Sequence, residues 1–159
     1  MVADIRPAVA DDAEGIGRMH VQSHRETYAE VLSPEFLAAM SVVERIDRWR
    51  GLLDGGVSEH WVAVDDGDVV GFVTSGPSRD EPPVRQLELH SLYLLASHHR
   101  SGLGSRMLDL AIGRRPASLW VVAGNDRALA FYRRHGFELD GETVIYRGWG
   151  DSTGLRMVR

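Results

Sequence analysis

The chain has 159 residues, of which 43% are hydrophobic and 26% charged, and its formal net charge is −5. These proportions indicate one globular domain over residues 1–159 with a core of its own. The absence of cysteine excludes disulfides, thiolate nucleophiles and cysteine-based metal sites. The negative charge argues against nucleic-acid binding, and no apolar run reaches membrane-spanning length. We therefore expect a cytoplasmic protein that binds neither nucleic acid nor a membrane.

The first third of the sequence predicts a strand and three helices. The strand covers residues 2–7, and each helix begins with a capping signal. The three signals are Asp11 with Glu14, Ser33 with Pro34 at the first helical position, and Ser41 with Glu44. Gly55 and Gly56 should end the third helix.

Strands are predicted next, at residues 60–64 and 69–74 around the turn Asp65–Asp68, and then from Leu87 to Leu95. In this last strand the apolar side chains change from odd to even positions. A β-bulge near His90 and Ser91 would explain the change, and a strand buried on both faces is the alternative.

A turn rich in glycine follows that strand and leads directly into an amphipathic helix. Gly102 and Gly104 let the backbone approach a ligand closely, and the first helical turn adds free N–H donors, so a phosphate or pyrophosphate would fit there. An ordinary strand-to-helix turn is the alternative. All 18 lysine and arginine positions hold arginine, which excludes a Walker loop, since that loop needs a lysine. A dinucleotide-binding motif also fails, because Met107 stands where its third glycine would be.

A second segment, Asn125 to Gly141, predicts a short helix that ends at Gly136 in the left-handed conformation and continues into a strand from Phe137. Asn125 could be a simple N-cap.

Together the two segments resemble the GNAT superfamily of acyl-CoA-dependent N-acyltransferases. Residues 99–104 match the motif Gln/Arg-x-x-Gly-x-Gly/Ala, except that His99 stands where the family usually has Gln or Arg. The second motif, Asn-x-x-Ala-x-x-x-Tyr followed by Gly-Phe, is matched without departure by Asn125, Ala128, Tyr132, Gly136 and Phe137.

The resemblance implies an α/β fold with a mixed, mostly antiparallel sheet of six to seven strands, splayed at its central pair and flanked by four to five helices. The splay would separate the Leu87–Leu95 strand from a parallel strand at residues 118–123 and would hold the pantetheine arm of acetyl-CoA. The implied cofactor-binding residues are Leu92, Tyr93, Leu94, His99, Arg100, Ser101, Gly102, Leu103, Gly104, Ser105, Asn125 and Tyr132. No metal is expected.

Two catalytic roles, a proton donor and a base, have candidate residues. Tyr132 would donate a proton or hydrogen bond to the departing thiolate; a core aromatic residue is the alternative. Glu88 is the first candidate for the base that deprotonates the acceptor amine, with a solvent-facing charge as the alternative, and His90 is the second candidate.

The predicted function is acetyl transfer from acetyl-CoA to a primary amine by direct attack in a ternary complex. A non-catalytic acyl-CoA sensor and a phosphate-binding domain are the other hypotheses. The acceptor could be a small molecule or a peptide, and by resemblance its pocket would use Tyr28, Phe36, residues 75–85 and residues 146–153. The sequence leaves the oligomeric state open, a homodimer included.

Overall fold

The computed structural model describes residues 2–159 and contains seven strands and five helices. The strands are β1 (Asp4–Pro7), β2 (Glu59–Asp65), β3 (Asp68–Pro77), β4 (Leu87–Leu94), β5 (Ser118–Val122), β6 (Glu138–Tyr146) and β7 (Ser152–Val158). The helices are α1 (Ala13–Thr27), α2 (Pro34–Ala38), α3 (Val42–Asp54), α4 (Leu103–Ala111) and α5 (Asp126–Arg134).

All the strands form one sheet in the order β1-β2-β3-β4-β5-β7-β6. Every neighbouring pair is antiparallel except β4 and β5, which are parallel. The expected mixed, mostly antiparallel sheet with about five helices is therefore confirmed.

Helices cover both faces of the sheet. On one face α1 and α3 pack on β2 and β3 through a cluster that includes Ile16, Trp49 and Phe72. On the other face α4 packs through Met107 and Leu108, and Tyr132 and Phe137 belong to the same cluster. The sheet is thus the middle of three layers, as its two-sided burial requires. None of the helices in residues 2–159 is long and apolar enough to cross a membrane.

The helix starts show which capping signals form. Ser33 and Ser41 cap α2 and α3 as predicted, since their hydroxyls accept from the N–H groups of Phe36 at 3.1 Å and Glu44 at 3.2 Å. The prediction of Asp11 as the cap of α1 is wrong. Asp12 precedes α1 instead; its carboxylate accepts from the Val9 N–H at 2.7 Å and from Arg6 at 2.8 Å. This ion pair joins β1 to the start of α1, and a sequence window around residue 11 could not reveal it.

Candidate functional site

The central strands β4 and β5 separate after a short paired segment. Only Glu88 with Ser118 and Leu89 with Leu119 are in register, and the ladder ends there. The predicted bulge lies at the same place: Thr74 of β3 pairs with Ser91 and Ser75 pairs with Leu89, so His90 is the extra residue. The extra residue changes the direction of β4 where the ladder with β5 stops. The splay and the bulge are both confirmed.

The main chain of β4 beyond the bulge is partly free. The Leu95 N–H donates to Val70 of β3 at 2.9 Å, and alternate residues of a strand point their polar groups to opposite edges. The N–H and C=O groups of Leu92 and Leu94 therefore point toward β5 and have no strand partner there. The Leu94 carbonyl accepts instead from the His99 ring at 3.1 Å and from the Ser23 hydroxyl at 3.4 Å. Tyr93 pairs with Phe72 of β3, so the prediction that its main chain binds the pantetheine arm does not fit this geometry; its side chain lines the opening instead.

The turn of residues 99–105, called the glycine turn below, lies beside this opening. Arg100 and Gly102 both have left-handed backbones, with φ of 62° and 81°. Within residues 2–159, the N–H groups of Arg100, Gly102 and Gly104 donate to no protein acceptor. A Cβ atom at Gly102 would meet nothing within 4 Å. Free amides and open space at the start of α4 suit an anionic ligand.

Two residues of the glycine turn, Ser101 and Leu103, make contacts within the protein. The Ser101 hydroxyl donates to the His98 carbonyl at 2.6 Å and accepts from the Leu103 N–H at 3.3 Å. The Leu103 side chain is buried in the core. Neither residue lines the opening between the strands, so their predicted contact with the cofactor stays a prediction.

The opening is a cavity of about 700 Å³, called the β4–β5 cavity below. Most of the predicted cofactor-binding residues line it, namely Leu92, Tyr93, Leu94, His99, Arg100, Gly102, Gly104, Ser105, Asn125 and Tyr132. Its volume and its apolar lining with polar groups at the ends are typical of a cofactor site.

Positive charge concentrates near the glycine turn. Arg100, Arg127 and Arg134 line the cavity, and the guanidinium of Arg127 contacts the His99 ring. Burial and the charge of Arg127 lower the pKa of His99 below 6.5, which favours the neutral ring. Arg127 and Arg134 were not among the predicted site residues. Their seven-residue spacing on α5, which puts both on one helical face, was the available signal.

Tyr132 lies between the core and the cavity. Its side chain is buried and packs edge-to-face on Phe131 and Phe137, with ring centroids 5.2 and 5.9 Å away. Its hydroxyl makes no hydrogen bond within residues 2–159. Burial, followed by the proximity of Tyr28, raises the pKa of Tyr132, so the phenol stays protonated at neutral pH and is available as a donor.

Asn125 is the N-cap of α5, because its side-chain oxygen accepts from the Ala128 N–H at 3.3 Å. It also lines the cavity. Nearby, the hydroxyls of Tyr28 and Tyr93 are 2.9 Å apart and burial raises the pKa of both. This tyrosine pair joins the end of α1 to β4 beside the cavity. No local pattern predicts it, since the two residues are 65 positions apart.

Glu88 is buried, with 1% of its surface exposed, so it is not the solvent-facing charge that was the alternative. One carboxylate oxygen accepts from the Arg79 backbone N–H at 2.7 Å, and the other accepts from the Arg79 guanidinium at 3.1 Å. Glu88 is absent from the residues that line the β4–β5 cavity. Its role as base stays a prediction.

Several of the expected acceptor residues form one aromatic cluster. Trp149, in the connection between β6 and β7, packs edge-to-face on Tyr28 and Phe36 with ring centroids 4.9 and 6.0 Å away. Tyr146 belongs to the same apolar cluster. The sheet therefore has a cofactor-like cavity at the splay and an aromatic cluster beside it.

The sequence is similar to known acetyltransferases. Residues 20–137 match the family model described as the acetyltransferase (GNAT) family. Over 97% of the chain and 96% of its relative, the sequence is 30% identical to YuaI of Bacillus subtilis, named an uncharacterized N-acetyltransferase.

Solved structures with the same fold include two complexes. PaiA N-acetyltransferase from Thermoplasma acidophilum, in complex with coenzyme A, has a TM-score of 0.75 at 20% identity, with 98% of each chain covered. NAA60 of Arabidopsis thaliana, in complex with a bisubstrate analogue, has a TM-score of 0.72 at 17% identity over 98% of this chain and 97% of that one. With the family model covering most of its length, this chain belongs to the GNAT family of acetyltransferases.

Proposed function

We propose that this protein is an N-acetyltransferase that moves the acetyl group of acetyl-CoA to a primary amine within a ternary complex. The observation that carries the proposal is the splay between β4 and β5, which leaves the main-chain groups of Leu92 and the N–H of Leu94 without a strand partner beside the open amides of the glycine turn. A pantetheine arm can pair with β4 as a short extra strand, and a diphosphate suits the start of α4. PaiA, which has the same fold, was solved with coenzyme A.

The chemistry requires a neutral amine, a hydrogen-bond donor that stabilises the oxyanion developing on the carbonyl, and a proton for the leaving sulfur. The amine nitrogen attacks the thioester carbonyl carbon, the C–N bond forms, and the C–S bond breaks. Tyr132 gives its proton to the sulfur, and the second N–H proton lost by the nitrogen restores the phenol through water. A base must remove the first proton of the ammonium.

The test is release of free thiol from acetyl-CoA in the presence of four amine classes: peptides with a free N-terminus, polyamines, amino acids and amine-bearing antibiotics. We expect turnover with at least one class. Tight binding of coenzyme A without turnover by any amine would contradict the proposal and favour an acyl-CoA sensor. If inorganic pyrophosphate stabilised the protein as well as coenzyme A does, the phosphate-binding hypothesis would be favoured.

Tyr132→Phe tests the role of the phenol. Because the ring and its packing on Phe131 and Phe137 are kept, coenzyme A affinity measured by calorimetry should stay unchanged. Turnover should fall about 100-fold if the hydroxyl is the proton donor. Unchanged turnover would remove Tyr132 from the mechanism.

A further inference from the structure

His90 is the residue that the bulge adds to β4. It has no partner on β3, because Thr74 pairs with Ser91 and Ser75 pairs with Leu89. Its ring lies across Gly76, where an added Cβ atom would be 3.2 Å from the His90 Cε1 atom. Gly76 leaves the space that the ring occupies, and His90 lines the β4–β5 cavity.

One hydrogen bond fixes the protonation pattern of the ring. The His90 Nε2 atom is 3.0 Å from the Pro77 carbonyl oxygen. A carbonyl oxygen can only accept, so in the neutral ring the proton lies on Nε2 and the lone pair lies on Nδ1. The Nδ1 atom has no hydrogen-bond partner within residues 2–159 and is not among the fully buried polar atoms. His90 therefore presents a free basic nitrogen next to the cavity.

Glu88, two residues earlier, is engaged elsewhere. Both of its carboxylate oxygens accept from Arg79, through the backbone N–H at 2.7 Å and the guanidinium at 3.1 Å. To take a proton it would have to give up a hydrogen bond to a cation while it is 1% exposed, which costs free energy. Glu88 is better suited to hold Arg79 and the connection between β3 and β4 in place.

Three charged or titratable groups act on His90. Arg79 and Glu88 oppose each other, and His60 of β2 lies across Thr74 with its Nδ1 atom 3.0 Å from that hydroxyl. Burial is the largest influence and, with Arg79, lowers the pKa of His90 below 6.5, against the opposite effects of the Pro77 hydrogen bond and Glu88. The ring is consequently neutral at physiological pH, as a base must be before it accepts a proton.

We propose that His90, through Nδ1, is the general base that removes the first proton from the acceptor ammonium, and that Glu88 is a positioning residue. This inference rests on the proposed acetyl transfer. The proton moves from the ammonium nitrogen to Nδ1 and then to solvent. The Nε2–H group donates to the Pro77 carbonyl throughout. The positive charge that the ring gains lies near the carboxylate of Glu88.

The experiment compares the pH dependence of kcat/KM in the wild type, His90→Gln and His98→Gln, with the best amine of the four classes above. His98 is a matched control because it lies outside the cavity and its ring binds Asp65 at 2.8 Å. The wild type and the control should gain activity with rising pH through a pKa below 6.5. In His90→Gln only amine that is already deprotonated can react, so activity should fall about 100-fold near pH 7.

That loss should shrink steadily toward the pKa of the amine used, about 10 for an alkyl amine and about 8 for a peptide N-terminus, because free amine then becomes plentiful. Imidazole added to His90→Ala should restore part of the activity at neutral pH. Nitrogen-15 spectra of the wild type should show the neutral ring with its proton on Nε2.

A loss in His90→Gln that is equal at every pH, with no rescue by imidazole, would overturn the role of His90 and leave the proposed function standing. A ring that carries its proton on Nδ1 would also overturn it. Coenzyme A binding without turnover by the wild type would instead refute the proposed function, and with it this inference.

Discussion

Mild acid should destabilise this protein through a histidine buried in α1. His24 is 4% exposed, lies against the rings of His20 and Tyr93 with centroids 4.3 and 4.9 Å away, and its Nδ1 atom has no hydrogen-bond partner within residues 2–159. Burial, followed by the charge of Arg45, lowers the pKa of His24 from 6.5 to about 3. In mild acid the unfolded chain therefore binds a proton at His24 that the folded protein does not bind.

The direction and size of the effect follow from this difference in pKa. A group with a lowered pKa in the folded state contributes its full stability above the unfolded value of 6.5, and that contribution is lost as the pH falls toward about 3. At about pH 4 the loss amounts to about 3 kcal/mol. Domains of this size are stable by only about 5–15 kcal/mol, so a loss of this size is easily measured.

The assay is urea unfolding at about pH 7 and about pH 4, with the wild type and His24→Phe side by side. Phenylalanine keeps an aromatic ring among the same neighbours and removes the titrating nitrogen. Carboxylates such as Asp12, whose pKa the Arg6 hydrogen bond lowers, act equally in both proteins. The free energy of unfolding of His24→Phe should therefore depend less on pH by about 3 kcal/mol. The same pH dependence in both proteins would refute the reasoning.

Two glycine substitutions test the cofactor site. In Gly102→Ala the new Cβ atom meets no atom within 4 Å, but the residue has a φ of 81°, so backbone strain of about 1 kcal/mol should turn the free amides away and weaken coenzyme A binding in calorimetry. Gly51→Ala, also in open space, is the control and should leave binding unchanged. Equal affinity in both variants would contradict the proposed role of the turn. Gly71→Ala would bring a Cβ atom into a clash with Leu94 Cδ2 and to 3.0 Å from the Tyr93 carbonyl oxygen. The displaced β4 strand should cost about 1–3 kcal/mol in thermal unfolding and weaken coenzyme A binding; an unchanged melting temperature would show that β4 can yield there.

Features encoded by neighbouring residues were predicted well. The left-handed Gly136, with φ of 87°, follows from a helix that must stop before an apolar strand. The bulge at His90 follows from the shift in apolar positions within one strand. In both cases a few adjacent side chains determine the backbone, so a single sequence contains the necessary information.

Features that join distant parts of the chain were not predicted. β7 lies between β5 and β6, an order that no local pattern encodes. The hydrogen bond between Tyr28 and Tyr93 and the ion pair between Arg79 and Glu88 depend on which strand edges and loops meet in three dimensions. For the same reason the sequence could name Glu88 as an acidic residue in an apolar strand and could not show that its oxygens were occupied.

The single extra residue at position 90 makes this part of the chain sensitive to insertion and deletion more than to substitution. Removing one residue between 87 and 94 would restore continuous pairing of β4 with β3, and the change of direction that separates β4 from β5 would be lost. A frame-preserving codon loss here would therefore narrow the β4–β5 cavity, the proposed acetyl-CoA site, even if every remaining side chain were retained. Homologues should vary in residue type along this segment while conserving its length.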